Sequence, residues 1–295
     1  MTASFRAYLL VLIAASLWGT IGVAGKLLYG LGQVSPLALG LFRVGVAAPL
    51  LGLLSWRLDR GRPWHLRRRE GAWWALAMGS MGGYQLFLFA AVERTDVTLA
   101  IFLAICTAPV LVALAAPLLL GERLNRGGLV SGGLALAGAA LVLTAPAPGE
   151  GIATGRLAGN LLALGAAVCW AAYAIAARRL VRSHPPTRIT FLTFAGAALL
   201  LAPLVFWQAR PLALPPLGWG LAFYLGVVPT ALAYFLYVRG LVHVPAATSS
   251  FLALVEPGAA ALLSALLLGE RLPLPAWAGV GVLLLGLLWL IRITR

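Results

Sequence analysis

Long apolar runs separated by short polar connections dominate this chain. Runs of roughly 20 mostly apolar residues, the length needed to cross a hydrocarbon core about 30 Å thick, recur ten times. They occupy residues 8–28, 36–56, 71–92, 97–120 and 127–144, and then 157–177, 189–207, 217–238, 245–268 and 275–293. The pattern predicts an all-α integral membrane protein with ten transmembrane helices. The first run begins with one Arg ahead of an Ala-rich stretch, as a signal peptide would. It continues to Leu28, however, and has a partner in the second half of the chain, so a retained span is expected.

The two halves are related. LVLIAASLW, ending at Trp18, aligns with LALGAAVCW, ending at Trp170, and the same offset of 152 brings Lys26 onto Arg178. LLLGERL at 118–124 recurs letter for letter at 266–272, an offset of 148 that places Pro109 on Pro257. Five spans per half put the second copy into the membrane from the opposite face, so the repeats are inverted, the architecture of alternating access. The expected organisation is one five-helix repeat at 1–144, a Pro- and Gly-rich joint at 145–156, and a second repeat at 157–295.

Composition agrees. Apolar residues make up 62% of the chain and charged residues 10%, with mean hydropathy +0.97, against about 25% charged in an ordinary soluble domain. The net charge of +14 would raise nucleic acid as a partner in a soluble protein. Here the charge falls in the connections, densest from Arg57 to Arg69, so the partner is the lipid bilayer. With the N-terminus inside, sixteen basic residues lie on the cytoplasmic side and five on the other, with Arg43 left within a span. That bias predicts a multi-pass protein of a bacterial inner membrane with both termini cytoplasmic. Cys106 and Cys169 lie in apolar runs without CxxC spacing and are read as small packing residues. No cofactor or metal is implied.

These features, taken together, resemble the drug/metabolite transporter superfamily in its ten-helix EamA-like form, and within it the YddG-type aromatic amino-acid exporter group. The resemblance spans the chain. It rests on the LW pair of Leu17 and Trp18, Arg43 within the second span, the mid-helix prolines of CTAP (Pro109) and VEP (Pro257), and the GER motifs at 121–123 and 269–271. It implies movement of small metabolites, with export inferred from the resemblance alone. The pattern departs in the seventh span, where the position matching Arg43 is about Phe194.

Several residues could carry that function. Glu256 falls about eleven residues into the ninth span, roughly 16 Å deep, where a carboxylate costs on the order of 3 kcal/mol. It must face a cavity, pair with a cation or be protonated; the plainer alternative is a structural tie at the Pro257 kink. The repeat-related residue is Ala108, so the fold itself does not require an acid. Arg43 either snorkels to the interface or meets an acid or a substrate carboxylate. Pro109 and Pro257 are expected to interrupt their helices at matched depth, as hinges beside a substrate site. Trp18 and Trp170 lie too deep for interfacial belts, so they line a cavity or fill the core. Tyr84, Gln85, Thr107, Tyr173, Thr230, Tyr234, Thr248 and Ser250 offer polar groups at membrane depth, and some will simply bond backbone carbonyls. The GER motifs read as structural helix ends.

An aromatic pocket with few fixed charges suits an amphipathic small molecule better than a phosphate. The leading expectation is a secondary transporter exporting neutral or aromatic amino acids through a central cavity between the repeats. Alternatives are transport of cationic drugs or nucleobases, a membrane-embedded enzyme, and a metabolite sensor. Against a pump, GTIGVAGKL at 19–27 lacks P-loop spacing; against an enzyme, there is no HExxH or GxSxG. Gly128, Gly132, Gly279 and Gly281 should let helices approach closely. A monomer is expected, with a homodimer left open.

Overall fold

The computed structural model describes residues 3–31, 35–60, 68–95, 97–144, 157–208, 214–269 and 271–294. Every apolar run becomes a helix, because the bilayer offers no water to bond an open backbone. All ten helical segments are long and apolar enough to cross a membrane. Among the described residues there is no strand.

Spans 1 to 5 are Ala3–Leu31, Pro36–Leu58, Gly71–Val92, Val97–Leu119 and Arg126–Thr144. Spans 6 and 7 are Leu157–Leu180 and Pro186–Gln208, followed by span 8, Pro216–Gly240. Span 9, Ala246–Leu268, is in two pieces, Ala246–Leu252 and Val255–Leu268, and span 10 is Leu274–Thr294. Several helices run beyond the apolar stretch that marks them. Span 6 carries Arg178 and Arg179 in its last turn, and span 7 begins at Pro186, where a proline has no N–H to waste. Ser35 caps span 2 by accepting from the Ala38 N–H. Gly121 and Gly269 adopt φ of +72° and +68°, so both GER motifs begin with a left-handed glycine past the helix end. The joint expected at 145–156 lies outside the described residues.

Packing follows the repeat. Span 6 lies against spans 3 and 4, and its counterpart, span 1, lies against spans 8 and 9; spans 2 and 7 pair with each other, as do 5 and 10. Each of these contacts joins one repeat to the other, so neither repeat is a separate core. Spans 5 and 10 meet backbone to backbone: a Cβ on Gly138 would stand 2.3 Å from the Leu283 nitrogen, and one on Gly286 would stand 2.5 Å from that of Ala135. Gly279 belongs to this contact and Gly132 seats the Phe251 ring, whereas Gly281 faces open space. The outer surface is apolar, with Leu118 86% and Leu266 78% exposed, a distribution that only lipid tolerates. Trp56, Trp219, Trp277 and Trp289 are exposed towards span ends, as interfacial rings should be.

Candidate functional site

The break in span 9 comes from Pro257. It has no N–H for the Ala253 carbonyl, and its ring would clash there. The Glu256 N–H takes that carbonyl instead at 3.0 Å, and the Leu254 N–H closes on Phe251 at 3.1 Å. The helix restarts at Val255 with Glu256 in its first turn, where a carboxylate faces the positive end of the new helix dipole. Pro109 behaves differently. Span 4 runs unbroken past it, so the paired hinges expected from sequence reduce to one break, at span 9.

The break opens onto a cavity of about 320 Å³, lined by Glu256, Tyr84, Trp170, Ser250, Pro109 and Ala253 among others. Most of that space is too narrow to hold a ligand, and in this conformation the cavity admits little more than water. Spans 3, 4, 6 and 9 form it, two from each repeat.

A second interruption lies in span 8, where Val227–Leu232 forms a wide π turn. Pro229 removes one helical N–H, and the Thr230 hydroxyl donates to the Leu225 carbonyl at 2.7 Å. Arg43 reaches across from span 2 and donates from Nε to Thr230 Oγ1 at 3.2 Å. Arg43 is only 6% exposed, so it is held inside the bundle and does not snorkel. It also lies within Coulombic reach of Glu256, with Tyr84 and Tyr234 in the field of both.

Beside the cavity is an aromatic cluster. The Trp18 ring centroid is 4.9 Å from Tyr234 and 5.3 Å from Tyr237, and meets Trp170 edge-on at 6.3 Å. Tyr234 also contacts Tyr173 at 5.8 Å and Phe194 at 4.9 Å. Trp170 therefore borders the cavity, while Trp18, Tyr173 and Tyr234 stand behind it as buried support. Among the described residues the buried Trp18 Nε1 and Tyr173 hydroxyl meet no hydrogen-bond partner, a costly state for a polar group. Phe194, in the place that repeat symmetry would give a second Arg43, packs into this cluster.

The remaining candidates separate. Ser250 borders the cavity but gives its hydroxyl to the Ala247 carbonyl at 2.9 Å. Gln85 is buried and Thr107 half-buried, and neither borders the cavity. Thr248 lines a different cavity. Cys106 and Cys169 are free thiols. Sequence reasoning missed Tyr237 and Gly19. A Cβ on Gly19 would lie 2.9 Å from the Glu256 carbonyl and 2.8 Å from the Ala259 Cβ, so span 1 touches the lower piece of span 9 through a bare backbone. The one available signal was Gly19 itself, next to Trp18 and close to Ala14, Ala15 and Ser16.

The profile of the EamA-like transporter family matches residues 5–144 and 157–292, once per repeat. The chain belongs to the EamA-like transporter family. The uncharacterized transporter YwfM of Bacillus subtilis is 32% identical over 280 residues, covering 95% of this chain and 92% of that protein. The aromatic amino acid exporter YddG of Ancylobacter novellus is 29% identical over 232 residues, 77% of each. One solved crystal structure superposes with a TM-score of 0.84 over 98% of this chain and 97% of that one, at 23% identity, which establishes the shared fold. This protein is thus a multi-pass membrane transporter and not an enzyme.

Proposed function

We propose that this transporter exports neutral or aromatic amino acids by alternating access, with the cavity beside the span 9 break as the substrate site. The observation that carries this is the pairing of charges around aromatic rings. Glu256 borders the cavity, Arg43 stands within Coulombic reach of it, and Trp170 and Tyr84 form apolar wall. A zwitterion presents an ammonium, a carboxylate and a side chain; Glu256 and the rings answer the first and last at the cavity wall, and Arg43, outside the lining, would answer the carboxylate once the spans around the cavity move. The aromatic amino acid exporter among the relatives supports the same class. In the present shape the cavity is too narrow for such a molecule, so substrate must be admitted by movement of the spans around it.

A second reading rests on the fact that Glu256 borders the cavity while Arg43 does not: the site would then take a cation without a carboxylate. Flux of labelled tryptophan, threonine and a quaternary ammonium compound into liposomes containing only this protein separates the two. The proposal expects tryptophan to move and the ammonium compound not to; the reverse favours the cation.

The orientation follows from the distribution of Arg. Both termini on the cytoplasmic face of a bacterial inner membrane is the arrangement the charge bias supports. A single Cys replacing Ser183, in a chain lacking Cys106 and Cys169, should be protected from an impermeant thiol reagent outside intact cells. Labelling there would reverse the assignment.

A further inference from the structure

At the end of the protein that carries Arg178, the loop between spans 4 and 5, the start of span 9 and the end of span 10 enclose a second cavity of about 620 Å³. It shares no wall residue with the cavity at the span 9 break, and it has room for far more than water. The exposed Arg123 and Asn125 border it.

The side-chain acceptors on this wall are already engaged. Glu122 Oε1 accepts from Arg178 Nε at 2.7 Å and from Arg182 Nη2 at 3.2 Å, and its Oε2 accepts the Ala246 N–H at 2.9 Å. Asn125 Oδ1 accepts the Gly128 N–H at 2.7 Å, at the start of span 5. Thr294 Oγ1 accepts from the Tyr8 hydroxyl at 2.9 Å and gives its own proton to the Leu290 carbonyl at 2.6 Å. The donors are not engaged. With Oδ1 committed, the Asn125 amide keeps its NH₂ group to donate; neither that group nor the Arg123 guanidinium meets an acceptor among the described residues. The Thr248 hydroxyl, buried in the same wall, also has no partner among them, a costly state for a polar group. Charge points the same way: the one acid on the wall is held by two guanidinia, while Arg123 pairs with no acid among the described residues.

We propose that this cavity binds a phosphate group, carried by an anionic phospholipid or by a soluble phosphate compound. The charged oxygens of a phosphate only accept, and they take a guanidinium and neutral donors together. Arg123 and Asn125 supply these at the mouth, and Thr248 adds a hydroxyl from the inner wall. A zwitterionic amino acid matches this wall poorly, because its ammonium needs acceptors that are already bonded. The position favours the lipid. The cavity lies where spans end, at headgroup depth, where basic pockets between helices recognise headgroups, and the exposed Leu118 and Leu119 at the end of span 4 offer apolar surface to acyl chains. The site is independent of which substrate the protein carries and in which direction.

Native mass spectrometry of the purified protein in a neutral detergent tests it, with titrations of phosphatidylglycerol, of diacylglycerol bearing the same chains, and of inorganic phosphate. Wild type should hold phosphatidylglycerol at least about tenfold more tightly than diacylglycerol. Asn125→Asp keeps the acceptor for the Gly128 N–H but replaces the free donor with negative charge, so it should weaken phosphatidylglycerol at least about tenfold and leave the Tm of the lipid-free protein unchanged. Arg123→Gln should weaken it at least about fivefold and Thr248→Val about threefold. Arg271→Gln, at the exposed arginine of the second GER motif and outside the cavity, should leave binding as in wild type. Inorganic phosphate separates the sources: displacement of the lipid at comparable concentration assigns the site to soluble phosphate, and retention of the lipid assigns it to the headgroup. Should Asn125→Asp not fold, Arg123→Gln decides, since that side chain is exposed. The proposal is overturned if neither phosphate source binds better than diacylglycerol, or if the folded variants at Arg123 and Asn125 bind as wild type does.

Discussion

Spans 4 and 9 occupy equivalent places in the two repeats, share LLLGERL at their ends and carry a proline at the same position, yet one is continuous and the other broken. Proline is therefore not sufficient for the break. What differs is the company it keeps. Span 9 has Glu256 before the proline and Gly258 after it, where span 4 has Ala108 and Val110. An acid favours a fresh helix N-terminus and glycine weakens helix continuity, while Ala and Val do neither. The partner spans differ in the same sense: span 1 presents Gly19 to span 9, and the repeat puts Ala171 at that place in span 6. The second repeat supplies the broken helix and the acid, and the first supplies Arg43 and a continuous wall bearing Pro109.

Exchange of the distinguishing residue gives the largest expected effect. Glu256→Gln should lower transport by on the order of tenfold at normal membrane levels, measured as initial flux per mole of protein. Transplanting the acid by Ala108→Glu should destabilise the protein by roughly 3 kcal/mol, seen as a lower Tm in detergent, since span 4 has no new helix start to receive it. A smaller effect is expected from healing the break. Pro257→Ala returns an N–H to the Ala253 carbonyl and should slow transport roughly threefold to fivefold while raising Tm; Pro109→Ala should change flux by less than about twofold. Equal effects at the two prolines would erase the distinction. Smallest is the close approach of span 1. Gly19→Ala should cost about 1–3 kcal/mol through overpacking, whereas Gly22→Ala, with nothing within 4 Å of its added methyl, should be neutral or slightly stabilising.

The spans themselves were legible because hydrocarbon imposes one length on every crossing. The expected limits at 71–92 and 157–177 meet helices at Gly71–Val92 and Leu157–Leu180, and the errors sit at ends where Arg side chains carry a helix past its apolar stretch. The inverted repeat was legible from two short strings. What sequence could not supply is which proline breaks a helix, since that depends on carbonyls and neighbours one turn away. Nor could it supply the burial of Arg43, which needs the π turn of span 8 to place Thr230 opposite it. Trp18 and Trp170 stood out in the sequence for their depth, but only their packing around Tyr234 and Tyr237 separates the one that borders the cavity from the one behind it. Glu122 was visible as part of a repeated motif, yet its carboxylate bonds Arg178, Arg182 and the Ala246 N–H, from two distant segments, and no local pattern announces them.

The central claim, that an amphipathic zwitterion passes through the cavity at the span 9 break, is tested most directly by counterflow. Purified protein is reconstituted into liposomes loaded with unlabelled tryptophan, and uptake of labelled tryptophan from a dilute outside solution is followed with time. The account predicts a transient accumulation of label above equilibrium in wild type, reduced on the order of tenfold by Glu256→Gln. Label entering no faster than into protein-free liposomes, for tryptophan and for the other aromatic amino acids alike, would contradict it.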